Sequence, residues 1–179
     1  MPPIETSRLI LVPATLETLR AELVSRDALA AVLGIDVPES WPLKEYDADA
    51  VRWVITAILE GRARDGWTLY YIVERPASGA PARLCGGGGF VGAPDETGTV
   101  EIGYAIVPER RRRGYARETV EAWIAWAFGH PEVVRVIAHT LPDLTPSIGL
   151  LASTGFAYVG PQAAAGEADA VQYERRRVP

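Results

Sequence analysis

The chain has 179 residues, of which 48% are hydrophobic and 23% charged, the composition of an ordinary globular protein of about one domain. Its formal net charge of -5 disfavours a general nucleic-acid-binding protein, because such proteins are usually basic. The sole cysteine, Cys85, excludes an intrachain disulfide and a cysteine-rich metal site, and we expect a small buried residue there rather than a nucleophile.

The first third of the chain predicts a strand followed by helices. Residues 7–15 form a short β-rich run, which indicates a strand. Residues 16–34 carry apolar side chains at helical spacing and predict one or two helices that end at Gly34.

A second helical region is predicted over residues 47–66. Its candidate N-cap is Asp47 or Asp49, and its candidate stop is Gly66. The elements that follow are strands at 67–75, 82–92 and 99–107, a helix at 116–128, a strand at 133–141, a short helix at 145–154, and strands at 155–160 and 170–178.

The strand at 82–92 contains four consecutive glycines, which indicates a bulge or a position where another group closely approaches the backbone. The order of the elements predicts an α+β fold, in which helices cover both faces of one mostly antiparallel sheet.

The segment "PERRRRGYARETVEAW" (108–123) concentrates positive charge in an otherwise acidic chain. It joins a long apolar strand to an amphipathic helix, with Gly114 at the turn. A helix N-terminus presents unpaired N–H groups and a partial positive charge, so it binds anions readily. Because these donors converge on one spot, the segment favours a diphosphate over a polymer backbone or a solvated charge cluster.

The hexamer "RRRGYA" (111–116) also resembles the pyrophosphate loop of the GNAT N-acetyltransferases. The surrounding "EIGYAIVPERRRRGYARETVEAWIAWAF" resembles the core of the ribosomal-protein-alanine (RimJ/RimL-like) branch of that superfamily. "ETSRLILVPA" is similar to the first strand of this branch, and "AHTLPDLTPSIGLLASTGF" to its fifth strand and fourth helix. The resemblance implies a three-layer α/β/α sandwich around a mostly antiparallel, centrally splayed sheet of six to seven strands.

The resemblance also implies acetyl-CoA as the donor, and CoA as the product. Carried over by position, the backbone of Ile106 and Val107 is expected to bind pantetheine, and one of these strand amides to polarise the thioester carbonyl. The pyrophosphate is expected at the N–H groups and charges of the turn and the first helical turn, which comprise Arg111, Arg112, Arg113, Gly114, Tyr115, Ala116 and Arg117.

Three residues are candidates for catalysis. His139 lies where some GNAT enzymes carry a catalytic carboxylate, and it is either a base or a hydrogen-bonded strand histidine. Glu101, on the preceding strand, either takes the proton through water, binds the cationic amine, or is only an exposed carboxylate. Ser147 aligns with a serine that the branch uses, so its hydroxyl is expected to donate to the departing sulfur or to pantetheine. Tyr104 is expected in the core or lining the acceptor site.

Three positions depart from the family pattern, among them Ser153, where the branch usually has lysine or arginine. Leu144 stands where the branch usually has asparagine, which predicts a lower CoA affinity. Leu151 stands where many GNAT enzymes have a tyrosine acid, which excludes that acid here. No metal site is expected.

The resulting hypothesis is a single acetyltransferase domain over residues 1–179 that acetylates a primary amine, either a protein N-terminus or a small molecule. The alternative is a non-catalytic acyl-CoA-binding or regulatory protein that retains the fold. We expect a cytoplasmic monomer or homodimer without nucleic-acid or membrane partners, because the N-terminal sequence lacks a signal-peptide pattern and the apolar runs are short.

Overall fold

The structure is a computed structural model that describes residues 1–43, 48–76, 79–164 and 168–178. The strands are β1 Ile4–Glu5, β2 Leu9–Pro13, β3 Leu69–Glu74, β4 Arg83–Phe90, β5 Thr99–Ile106, β6 Arg135–Thr140, β7 Ala157–Pro161 and β8 Val171–Arg176. The helices are α1 Leu16–Val24, α2 Arg26–Leu33, α3 Ala48–Leu59, α4 Tyr115–Phe128 and α5 Thr145–Ser153, with a 3-10 turn at Pro108–Arg110.

Over the described ranges, the strands form one eight-stranded sheet in the order β1-β2-β3-β4-β5-β6-β8-β7. Every pairing is antiparallel except β5 with β6, which is parallel. The predicted α+β fold is confirmed, but the expected six to seven strands become eight. The strand that no sequence pattern indicated is β1, whose two residues are too few to show an alternation and which pairs with β2 through Ile4 and Leu11.

The predicted stop of the third helix at Gly66 is wrong, because α3 ends at Leu59. The N–H groups of Gly61 and Arg62 turn back onto the carbonyls of Ile58 and Ala57, which closes the helix before the predicted stop. Asp49 lies in the first helical turn, whereas Asp47 falls outside the described residues.

Two apolar cores lie on opposite faces of the sheet. On one face, α4 packs over the strands through residues such as Val120, Trp123 and Ile124. On the other face, α1, α2 and α3 pack over β3 and β4 through a second cluster that includes Leu19 and Leu29. Within the described part of the chain, no helix combines the length and apolarity that crossing a bilayer requires.

The glycines of β4 allow close approach from both faces, as the sequence predicted. A Cβ atom on Gly87 would lie 2.8 Å from the ring of Trp41, and one on Gly88 would lie 2.6 Å from the ring of Trp123. The register with β3 also shifts between Ile72 and Val73, which leaves Cys85 as the extra residue of a bulge. Both predicted features are therefore present in the same strand.

The central strand β5 belongs to both cores. Its even-numbered residues Ile102 and Ile106 belong to the core under α4, and Ala105 packs against the opposite core. Since successive side chains of a strand alternate between faces, each β5 side chain can be assigned to one side of the sheet. This alternation determines where the functional side chains lie.

Candidate functional site

The strands β5 and β6 separate halfway along β5. Their parallel pairing is confined to Thr99, Val100 and Glu101 on the β5 side, although β5 continues to Ile106. On its other edge β5 remains paired with β4 from Ile102 to Ile106. The second half of β5 therefore offers a free edge, and the expected central splay is confirmed.

A cavity of about 650 Å³ opens at this free edge. Its walls are the end of β5, the turn before α4, the first turn of α4 and the start of α5. Of the residues predicted to bind the donor, those that line it are Ile106, Arg111, Arg112, Gly114, Tyr115, Ala116, Arg117 and Ser147. Most of the predicted set therefore lies in one continuous wall, and donor binding by these residues stays a prediction.

Val107 and Arg113 do not line this cavity. The N–H group of Val107 donates to the Cys85 carbonyl at 2.9 Å, and its carbonyl accepts from the N–H of Arg110 at 2.9 Å. The N–H group is thus occupied by β4 and the carbonyl by the 3-10 turn, so the predicted contact of Val107 with pantetheine lacks a free backbone group. The alternation of an antiparallel ladder directs the backbone groups of Tyr104 and Ile106 to the free edge instead.

The turn before α4 is built on two left-handed residues. Arg112 has φ of 61° and Gly114 has φ of 80°, and α4 begins immediately afterwards at Tyr115. Such alternation aims successive N–H groups into one concavity. Gly114 is the N-cap and has no side chain to cap the helix, so the N–H groups of the first turn remain directed at the cavity.

A buttress of polar contacts, formed by Arg8 and Glu118, holds this turn from behind. The guanidinium of Arg8 donates to the Arg113 carbonyl at 2.8 Å and pairs with Glu118 at 2.7 Å. The carboxylate of Glu118 also accepts from the hydroxyls of Thr6 and Ser7 and from the N–H of Arg8. Burial raises the pKa of Glu118, but these hydrogen bonds outweigh it and leave the pKa below its usual value.

The arginines at 110–113 form different contacts. Arg110 forms an ion pair with Glu74 at 3.2 Å, and the hydroxyl of Tyr115 also donates to that carboxylate. Arg111 donates from Nε to the carbonyl of Ile106 at 2.9 Å, at the free edge. Part of the positive charge therefore fixes the loop to the sheet, and the charge that lines the cavity comes from Arg111, Arg112 and Arg117 together with Arg110.

Tyr104 packs against the core under α4, which is one of its two expected placements. It lines the cavity, and its Oη atom is 3.1 Å from Oγ of Ser147, at the start of α5. The predicted packing of Tyr104 against a core is confirmed, and its position in the cavity wall is an addition to that prediction. The alternation along β5 contains this information, because Tyr104 and Ile106 are two residues apart and share a face.

His139 and Glu101 form a pair outside the cavity, on the opposite face of the sheet. Nδ1 of His139 is 2.8 Å from Oε1 of Glu101. The side chain of Glu101 is 31% exposed and that of His139 only 10%. The other imidazole nitrogen, Nε2, is buried and has no hydrogen-bond partner among the described residues. Glu101 is therefore the more accessible member of the pair.

The remaining sequence candidates are structural. Cys85 is buried, and burial raises the pKa of its thiol to about 11, so it stays a thiol at neutral pH. Leu151 is fully buried in the core. Leu144 lines the cavity and is 49% exposed, so it presents an apolar surface there. Within the described ranges, no group of three or more His, Cys, Asp or Glu side chains could hold a metal ion.

Comparisons with known proteins agree with this arrangement. Residues 8–157 match the model of the acetyltransferase (GNAT) domain. The sequence is 29% identical over 153 residues to the uncharacterized N-acetyltransferase YjdG of Bacillus subtilis (strain 168), covering 86% of this chain and 88% of that one.

Two solved structures share the fold. An acetyltransferase from Agrobacterium tumefaciens str. C58 is 20% identical with a TM-score of 0.66, covering 99% of this chain and 95% of that one. RimL, the ribosomal L7/L12 alpha-N-protein acetyltransferase, in complex with coenzyme A is 17% identical with a TM-score of 0.65, covering 97% of each chain. With the family model matched across most of its length, the chain belongs to the GNAT acetyltransferase family.

Proposed function

We propose that this protein is an acetyl-CoA-dependent N-acetyltransferase that acetylates a primary amine. The observation that carries the proposal is the placement of two sites on opposite faces of β5. One face holds the cavity with its basic turn, and the other holds the Glu101–His139 pair. The gap between β5 and β6 joins them.

The cavity fits coenzyme A in its chemistry. One end combines Arg111, Arg112 and Arg117 with the N-terminus of α4, and this end suits a diphosphate. The walls near α5 include the apolar side chains of Leu144 and Leu150, which suit a thioester arm. The similarity to RimL, which was solved with coenzyme A, supports the same assignment.

The free edge of β5 suits the amide-containing arm of the donor. The Ile106 carbonyl accepts a hydrogen bond from Nε of Arg111, which shows that its oxygen points to the gap. Its second lone pair can accept an N–H group of the donor. Pairing with a free strand edge is a general way to bind an extended ligand. When bound, acetyl-CoA supplies an acetyl group that is activated as a thioester.

On the amine side, Glu101 is the residue that contacts the acceptor, because it is the more exposed member of the pair. His139 stands behind it and fixes the carboxylate through the 2.8 Å contact. A carboxylate attracts a cationic amine, and the pair takes the proton that the nitrogen loses. An α-amine is the easier substrate, since its ordinary pKa is about 8 against about 10.4 for a lysine side chain.

Space for the acceptor lies beside the pair. Gly103 follows Glu101 by two residues on the same face of β5, and it is exposed. A Cβ atom built on Gly103 would have no neighbour within 4 Å. This uncovered stretch of β5 provides an entry for a protein N-terminus or a small amine.

The test is acetyl transfer to a panel of amines, followed by thiol release and by mass spectrometry of the product. The panel contains peptides with free N-termini, the same peptides with blocked N-termini, polyamines, aminoglycosides and amino acids. We expect at least one free amine to give release that depends on both protein and amine, with an acetylated product. Tight binding of acetyl-CoA without transfer to any amine would contradict the proposal and favour a non-catalytic acyl-CoA-binding protein.

A further inference from the structure

Two hydroxyl groups meet in the wall of the donor cavity. Tyr104 comes from β5 and Ser147 from the first turn of α5, and their oxygen atoms are 3.1 Å apart. Both residues line the cavity. A third hydroxyl-bearing residue of the lining, Tyr115, directs its hydroxyl to Glu74 instead. Among the described lining residues, Tyr104 and Ser147 are therefore the two whose hydroxyls pair with each other.

The direction of the serine hydroxyl matters for its use. A serine hydroxyl has one hydrogen to donate and two lone pairs that accept. At the start of a helix, that hydrogen often goes to a nearby backbone group. If the Tyr104 phenol donates to Oγ, one lone pair is filled, and the hydrogen of Ser147 is left to point into the cavity.

We propose that Tyr104 is a positioning residue for Ser147: its phenol donates to Oγ and directs the Ser147 hydroxyl at the sulfur atom of the bound thioester donor. This inference rests on the proposed function. When the acetyl carbon bonds to the amine nitrogen, the carbon–sulfur bond breaks and its electron pair stays on sulfur. The hydrogen bond from Ser147 stabilises that charge, the amine proton goes to the Glu101–His139 pair, and the sulfur takes its proton later from solvent.

The environment of Tyr104 suits a permanent donor. Burial raises the pKa of its phenol, and the hydrogen bond with Ser147 lowers it only in part. The phenol is therefore protonated throughout the neutral range and keeps its hydrogen for Oγ. Leu151, one turn further along α5, is fully buried and apolar and offers no competing donor.

The experiment compares the binding of coenzyme A with that of desulfo-coenzyme A, in which hydrogen replaces the thiol, by calorimetry. We expect the wild-type protein to prefer coenzyme A by about tenfold at a pH where the thiol is ionised, since hydrogen bonds to charged groups are the strong ones. Ser147→Ala should abolish this preference. Tyr104→Phe should reduce it at least about threefold while the affinity for desulfo-coenzyme A stays unchanged.

Two controls make the result specific. Tyr70 on β3 has another buried hydroxyl, which donates to the Gly66 carbonyl at 2.8 Å. Tyr70→Phe removes this hydroxyl and should leave the preference for coenzyme A at its wild-type value. The double variant of Tyr104 and Ser147 should be no worse than Ser147→Ala, because both changes remove one interaction.

An unchanged preference in Tyr104→Phe, with both compounds still bound tightly, would overturn the inference and leave the tyrosine as a tie between β5 and α5. Failure of the wild-type protein to bind either compound would overturn the proposed function itself, and the inference with it. The two failures are therefore distinguishable in one titration series.

Discussion

At the scale of single residues, the donor site depends on the backbone of Gly114. Its φ of 80° is costly for any residue with a Cβ atom, and a Cβ there would lie 3.2 Å from Nη2 of Arg8. We expect Gly114→Val to weaken acetyl-CoA binding at least about tenfold, because the turn can no longer present its N–H groups. Gly61→Val is the control, since Gly61 has φ of 70° at a site remote from the cavity. Equal affinities for the two variants in calorimetry would contradict this role.

A second prediction at the residue scale concerns the separate roles of Glu101 and His139 in catalysis. Glu101→Gln removes the accessible charge and should lower kcat about 10²-fold, the low end of general-base contributions. His139→Gln should lower kcat less, because it removes only the 2.8 Å contact that fixes the Glu101 carboxylate. Acetyl-CoA affinity should be unchanged in both variants. If His139→Gln proves the more damaging and Glu101→Gln raises only the acceptor KM, the two roles are reversed.

The sequence predicts the residues of the cavity wall better than it predicts the contacts between distant segments. The cavity wall from Ile106 to Arg117 follows from a local motif, and the structure places most of it as expected. The backbone partners of Val107 do not follow from the motif, because a motif does not show which edge of the strand a backbone group faces. Tyr104 and Ser147 are 43 residues apart, so their contact depends on how α5 packs against β5, which no local pattern contains.

At the scale of elements, the turn that joins β1 to β2 is tied to α4 through Glu118. We expect Glu118→Gln to lower the free energy of unfolding by about 2 kcal/mol at neutral pH, because it removes several hydrogen bonds to a charged group. The pKa of Glu118 lies below its usual value, so this contribution is complete above the ordinary glutamate range and is lost as pH falls through the folded-state pKa. The two proteins should therefore converge in stability in acid.

Urea denaturation at neutral and acidic pH measures this difference. Asp27→Asn is the matched control, since its carboxylate pairs with Arg26 on the exposed surface of α2 and should contribute less than 1 kcal/mol. A stability difference for Glu118→Gln that persists undiminished in acid would show that the neutral side chain, and not the charge, holds the turn. The sequence could not predict this tie, because Arg8 and Glu118 are 110 residues apart.

Replacement of a glycine by valine should have different effects on stability at Gly88 of β4 and at Gly103 of β5. A Cβ on Gly88 collides with the Gly103 carbonyl and the Trp123 ring, so Gly88→Val should destabilise the fold by about 3 kcal/mol or more. Gly103→Val meets nothing within 4 Å and should change stability by less than about 1 kcal/mol.

Gly103→Val should instead act on the acceptor. We expect it to raise the acceptor KM at least about fivefold with unchanged acetyl-CoA affinity, because the new side chain occupies the uncovered floor beside Glu101. Steady-state kinetics with the amine identified in the panel provides the measurement. An unchanged acceptor KM would exclude this stretch of β5 as the entry.

At the scale of the whole molecule, the sequence predicts the order of the elements, because the periodicity of a helix or strand and the residues of a turn are features of a short segment. The two-residue β1 was not readable, and the end of α3 was placed seven residues too late, at Gly66 instead of Leu59. The separation of β5 from β6 is predicted only by the family resemblance, because the sequence of one strand does not show where its pairing with another strand ends. The proposed placement of the donor and acceptor sites on opposite faces depends on the register of β5, which the sequence does not show.

The central claim is that acetyl-CoA binds in the gap where β5 leaves β6, with its diphosphate on the turn before α4. Amide hydrogen exchange with and without acetyl-CoA tests this most directly, because it reports which backbone groups the donor covers. We expect new protection over residues 104–106 and 111–117, with the exposed helix α2 unchanged. Protection confined to other segments, with exchange at the turn unaltered at saturating acetyl-CoA, would contradict the account.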